Sequence, residues 1–158
     1  MPSKDDCPCG SGRAYKACYG PLHRGDREAA SAEALMRSRF SAFAKKEAAY
    51  LWRTLHPDHE DRQRDEAEVV RQIRSSASAL RYAGLKILDR REPDADGIAQ
   101  VLFLARIFDK SQELSFVELS DFAHDGEGWR YLRGKGMFVR SIKVDPASFT
   151  IASFTALS

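Results

Sequence analysis

Residues 98–123, IAQVLFLARIFDKSQELSFVELSDFA, decide the fold class. Two runs rich in Val, Ile, Leu and Phe flank a short polar turn at 109–111. Antiparallel strands can be joined by a few residues, whereas parallel strands need a long crossover, so the stretch reads as a hairpin with strands at 98–108 and 114–123. Outward from it, the same texture recurs at 82–91 and 129–133, with polar turns at 94–97 and 125–128. The spacing predicts a four-stranded antiparallel sheet.

Upstream the period changes. From Ala32, apolar Leu35, Met36, Phe40, Phe43 and Ala44 recur at helical spacing behind Ser31, a suitable N-cap, while Arg37, Arg39, Lys45 and Lys46 lie largely around the other side. A second helix is expected at 48–55, stopped by His56 and Pro57, because the residue before proline disfavours the helical region. Val69, Val70, Ile73 and Ala77 give a third helical stripe. The class is therefore α+β, about three helices on an antiparallel sheet, in a body spanning 30–158. From 138 onward Pro146 interrupts a mixture of Val, Ile, Phe, Ser and Thr, which suits a further strand or a hairpin. Gly134 and Gly136 read as a turn.

All three cysteines of the chain lie in one run: Cys7, Cys9 and, after Gly10, Ser11, Gly12 and Tyr15, Cys18. Clustered thiolates beside glycines that permit tight turns form a soft donor set that favours zinc. This run resembles the SEC-C motif, the knuckle at the C-terminal end of the SecA translocation ATPase, and places a zinc knuckle at 1–25. The resemblance implies a fourth ligand directly after the third cysteine, where this chain has Tyr19, a poor ligand because its phenol ionises only near pH 10. His23 is the expected replacement, reached by a turn through Gly20 and Pro21. Asp5, Asp6, a water or no fourth ligand is the alternative.

The body is similar to the YchJ family, on Ala34–Phe40, Phe43, Tyr50, Leu51, Thr54, His56 and Pro57, then Val101, Phe103, Ala105, Arg106, Glu118, Phe122, Trp129 and Tyr131. That resemblance implies a cone-shaped α+β body like nuclear transport factor two (NTF2-like, cystatin-like), with helices across a curved sheet enclosing a pocket. Relatives often carry a second knuckle near the C-terminus; no cysteine follows Cys18 here.

Tyr50, His56, Arg106, Glu118 and Trp129 are the candidate pocket residues. The structural reading pairs Arg106 with Glu118 across neighbouring strands. In the enzymatic alternative His56 is a general base, Arg106 holds a small anionic or carbonyl substrate and Glu118 orients it. With 25 basic and 23 acidic residues among 158, net +2, no charge footprint of a nucleic-acid partner is present. No apolar run is long enough to span a bilayer, and acidic residues and cysteines stand where a signal sequence would be basic and then apolar. Unpaired thiols suit a reducing, cytoplasmic setting. The sequence thus supports a zinc-binding module with a protein partner at the knuckle, in secretion or protein quality control by resemblance, and a small ligand in the cone.

Overall fold

The computed structural model describes residues 5–157; residues 1–4 of the knuckle and Ser158 at the end of the body lie outside it. After the cysteine run comes a short helix, α1 (Gly20–His23). Helix α2 (Ala32–Lys45) starts where Ser31 Oγ accepts the Ala34 N–H at 3.1 Å, and it stops at Lys46, whose left-handed φ of 61° closes the last turn. Helix α3 (Ala48–Arg53) ends two residues before the expected boundary. The reason is β pairing: the Tyr131 N–H donates to Thr54 O and the His56 N–H to Tyr131 O, each at 2.8 Å, drawing 54–56 alongside the sheet. Helix α4 (Glu66–Ala79) is capped by Asp65, which accepts the Glu68 N–H.

The sheet comprises β1 (Arg81–Arg91), β2 (Ala99–Asp109), the two-residue β3 (Gln112–Glu113), β4 (Phe116–His124) and β5 (Trp129–Phe138), all antiparallel, in the order β1-β2-β4-β5 with β3 on β2. Register shifts near Tyr82, Leu88 and Asp121 interrupt the ladders, the kind of irregularity that bends strands. β5 runs on through Gly134 and Gly136, which sit inside the strand and not in a turn. Glycine in a strand interior marks a close approach. A Cβ at Gly134 would strike the Glu118 carboxylate and the Tyr131 hydroxyl.

β2 is buried on both faces. Val101, Phe103, Ala105 and Ile107 join Phe122 and the α2 residues Leu35, Met36 and Phe40 in the main core, while Leu102 and Leu104 join Val117 on the opposite face. The tail covers that second face. Among the described residues it adds neither strand nor hairpin: after Pro146 begins a helical turn, Phe149 and then Ile151 and Phe154 of α5 (Ile151–Leu157) pack on the sheet, and Asp89 Oδ2 on β1 accepts the Ile151 N–H at 2.8 Å.

Helix α2 departs from the simple amphipathic pattern, for Arg39 lies inside with the apolar stripe. Leu35, Met36, Ser38, Arg39, Phe40, Ser41 and Ala42 are all buried, because the sheet lies against one side of the helix and the cysteine run against another. The 24–31 segment between knuckle and body is pinned as well. Arg130, its side chain 4% exposed, donates to Glu28 Oε1 and Asp125 Oδ2, both at 2.9 Å.

Candidate metal centre and ligand cavity

Cys7, Cys9 and Cys18 converge although their Cα atoms come from a loop and the end of a helical turn. The loop closes on itself through the Cys7 N–H to Arg13 O at 2.9 Å and the Tyr15 N–H to Asp5 O at 2.9 Å, with Gly10 and Gly12 at φ 84° and 82°. All three thiols are buried, and their sulfurs lie within 4.8 Å of one another, Cys9 and Cys18 at 3.6 Å. A tetrahedral zinc ion with Zn–S bonds of about 2.3 Å separates its sulfurs by about 3.8 Å. The donor set fits such an ion. The neighbouring Cys7 thiol lowers the Cys9 pKa, while Cys9 and then burial raise that of Cys7.

His23 is not drawn into the cluster. Gly20 and Pro21 begin helix α1 instead of folding the chain back, proline being suited to a first helical turn. The His23 ring therefore points to α2, where Nε2–H donates to Ser38 O at 2.8 Å and Nδ1 accepts from the Tyr15 hydroxyl. It ties the knuckle to the body. Asp5 and Asp6 stand outside the three-sulfur group as well. Two hydroxyls approach the sulfurs: Ser41 Oγ of α2, 3.1 Å from Cys7 Sγ, and Ser11 Oγ, 3.3 Å from Cys18 Sγ.

A cavity of about 320 Å³ lies between helices α2 and α4 and the sheet. Its wall is mostly apolar, including Phe40, Phe43, Tyr82, Phe103, Phe116 and Phe122. At its polar end Arg39 Nη1 donates to Leu51 O (2.9 Å) and Thr54 Oγ1 (2.6 Å), and the guanidinium lies 4.9 Å from the centroid of the Tyr131 ring. The Tyr131 hydroxyl donates to Glu118 Oε2 at 3.0 Å, and Ser120 Oγ donates to the same oxygen. Burial, and next the Glu118 charge, raise the Tyr131 pKa, so the phenol keeps the proton it donates. Burial lowers that of Arg39. No carboxylate among the described residues forms an ion pair with Arg39.

Of the five pocket residues read from the sequence, Glu118 alone lines this cavity. Arg106 lies across the sheet from it: β2 and β4 pair Phe103 with Glu118, and a residue three positions from Phe103 points to the other face. Its side chain, 58% exposed, pairs with Glu113 at 3.2 Å. His56 Nδ1 accepts the Asp58 N–H at 3.0 Å in a turn. Tyr50 is buried with its hydroxyl 2.6 Å from Ser38 Oγ, and Trp129 packs on the core edge-on to His124. Arg39 and Tyr131 are the site residues the sequence reading missed. A lone arginine beside the apolar stripe of a helix was the available signal.

The profile of the YchJ middle NTF2-like domain matches residues 31–134, and that of the SEC-C motif matches 4–18. A UPF0225 protein of Geobacter sulfurreducens is 36% identical over 145 residues, covering 91% of this chain and 84% of the relative. Another, from Bordetella pertussis, is 35% identical over 130 residues, 81% of this chain and 90% of its own. Among solved structures, a SEC-C motif containing protein of Rhodopseudomonas palustris superposes with a TM-score of 0.68 at 34% identity, over 82% of this chain and 96% of that one. One from Psychrobacter arcticus gives 0.68 at 26% identity, over 80% of each. With its cysteine knuckle and helix-covered antiparallel body, the chain belongs to the YchJ (UPF0225) family.

Proposed function

We propose that this protein is a zinc-braced binding module whose conical body takes up a small, largely apolar molecule. The observation that carries the reading is the aromatic-walled cavity of about 320 Å³ with a buried arginine at one end. An apolar cavity of about 150 Å³ suffices for benzene, so this one has room for a fused ring or a ring with a substituent. Cys7, Cys9 and Cys18 would hold one zinc ion, which supplies folding energy and positive charge to residues 5–25. Ser41 and Arg37 dock that segment on α2, the latter through Nη1 to Cys9 O at 3.4 Å. The exposed loop 10–13 is the surface offered to a protein partner, and a reducing cytoplasm suits the free thiols. The enzymatic alternative loses its assembled trio, since His56, Arg106 and Glu118 do not meet in one cavity.

The test has two arms. Protein purified in reducing, chelator-free buffer should carry about one zinc per chain by elemental analysis. Titration with the neutral fluorophore N-phenyl-1-naphthylamine should show saturable binding that Ala105→Phe, which fills the cavity, removes. Metal-free protein with three freely titrating thiols refutes the zinc site. Absence of saturable fluorophore binding refutes the cavity reading.

A further inference from the structure

We infer that the cavity selects molecules carrying a zwitterionic head, of the α-amino-acid type, on a large apolar body; this rests on the cavity being a ligand site. Arg39 is 8% exposed, yet both of its side-chain hydrogen bonds leave from Nη1 and go to neutral acceptors. No side-chain nitrogen or oxygen among the described residues is at once buried and unpartnered, so the guanidinium nitrogens without a protein acceptor are not sealed off, and Arg39 is one of the residues that line the cavity. Glu118 lines the same space, and both hydroxyls that reach it bind Oε2, which leaves Oε1 for another donor. The two charges are held apart by one residue, for Arg39 sits over the Tyr131 ring while the hydroxyl of that ring holds Glu118.

A cation and a carboxylate that face one apolar cavity without contacting each other form a charge-neutral pair with unfilled valences. An anionic ligand satisfies Arg39 and meets repulsion from Glu118; a cationic ligand does the reverse. Each would leave one charge uncompensated in a weakly polar setting, which is costly. A carboxylate on Arg39 and an ammonium on Glu118 satisfy both at once, through charge-assisted hydrogen bonds. The aromatic wall then accepts the side chain.

Four indole compounds that differ only in the head separate the possibilities: L-tryptophan, tryptamine, indole-3-propanoate and 3-methylindole, each displacing N-phenyl-1-naphthylamine from the intact zinc-loaded protein. L-Tryptophan should displace the fluorophore at concentrations lower by about tenfold or more than the other three, as one or two charge-assisted hydrogen bonds imply. Glu118→Gln should remove the advantage of L-tryptophan over indole-3-propanoate, read as the ratio of the two displacing concentrations within that variant. Equal displacement by all four, with the fluorophore bound, overturns the head-group inference and leaves the cavity reading standing. A preference for either singly charged compound overturns it too. Failure of the fluorophore to bind instead refutes the cavity reading on which the inference rests.

Discussion

Removing the Arg130 guanidinium should loosen the junction between the 24–31 segment and the sheet. Arg130 Nε donates to Asp125 and Nη1 to Glu28, a residue 102 positions away, from a side chain that is almost wholly buried. Losing one partner of a buried pair costs about 3 to 5 kcal/mol when the other is left stranded. Here the carboxylates are not stranded: Asp125 still accepts the Glu127 and Gly128 N–H groups, and Glu28, 40% exposed, reaches water and Arg53. The expected cost of Arg130→Met, which keeps most of the packing volume, is therefore about 2 to 3 kcal/mol at neutral pH. Urea unfolding read by tryptophan fluorescence and circular dichroism should show a midpoint lower by about 1 M, given a slope near 2 kcal/mol/M. The gap should close in acid. Although burial opposes it, backbone hydrogen bonds and Arg130 lower the Asp125 pKa from 3.8, so its stabilisation is complete above that value and is lost as pH falls through the lower folded value. A change under about 0.5 kcal/mol at neutral pH, or one equally large in acid, would refute the reasoning.

Arg106→Ala, by contrast, should change stability by less than about 1 kcal/mol in the same assay, because its pair with Glu113 is exposed; a larger loss would contradict the assigned strand face. Gly134→Ala should cost about 1 to 3 kcal/mol and weaken fluorophore binding by displacing Glu118 and Tyr131, and an unchanged titration would show that the close approach is dispensable. Cys9→Ser should abolish stoichiometric zinc whereas His23→Ala should retain it, elemental analysis deciding, since His23 spends both ring nitrogens on Tyr15 and Ser38. Burial lowers the pKa values of His23 and His59 from 6.5, so the stability each lends by staying neutral is full above 6.5 and declines as pH falls below it; identical urea midpoints at pH 7.5 and 5.0 would refute this.

The strands, the Ser31 cap and the three main helices were legible because each rests on local pattern or cap chemistry. Positions set by register were not. β2 is apolar on both faces, so no alternation shows which residues share a side, and Arg106 and Glu118 could be told apart only once Phe103 was known to face Glu118. The tail misled for a related reason: Phe149, Ile151 and Phe154 look strand-like in composition, but after Pro146 the last two enter a helix that, with Phe149 just before it, covers the second apolar face of β2. Arg39 was assigned to solvent because helical periodicity assumes one buried side, while α2 has neighbours on two. The three cysteines needed no tertiary information beyond their spacing. Their fourth neighbour did, since the direction of His23 depends on α1 forming at Gly20.

With a metal in the knuckle and a ligand in the cavity, that doubly buried helix would make the two partners in one equilibrium. Ser41 touches the sulfur cluster and Arg39, Phe40 and Phe43 line the cavity, all on the same few turns of α2. Anything that fixes those turns from one side lowers the ordering cost met on the other, and linkage requires the benefit to be mutual and equal in free energy. Zinc held by the knuckle would then tighten the hold of the cone on its guest, and a filled cone would slow the loss of zinc to a chelator by retaining the wall against which the knuckle rests.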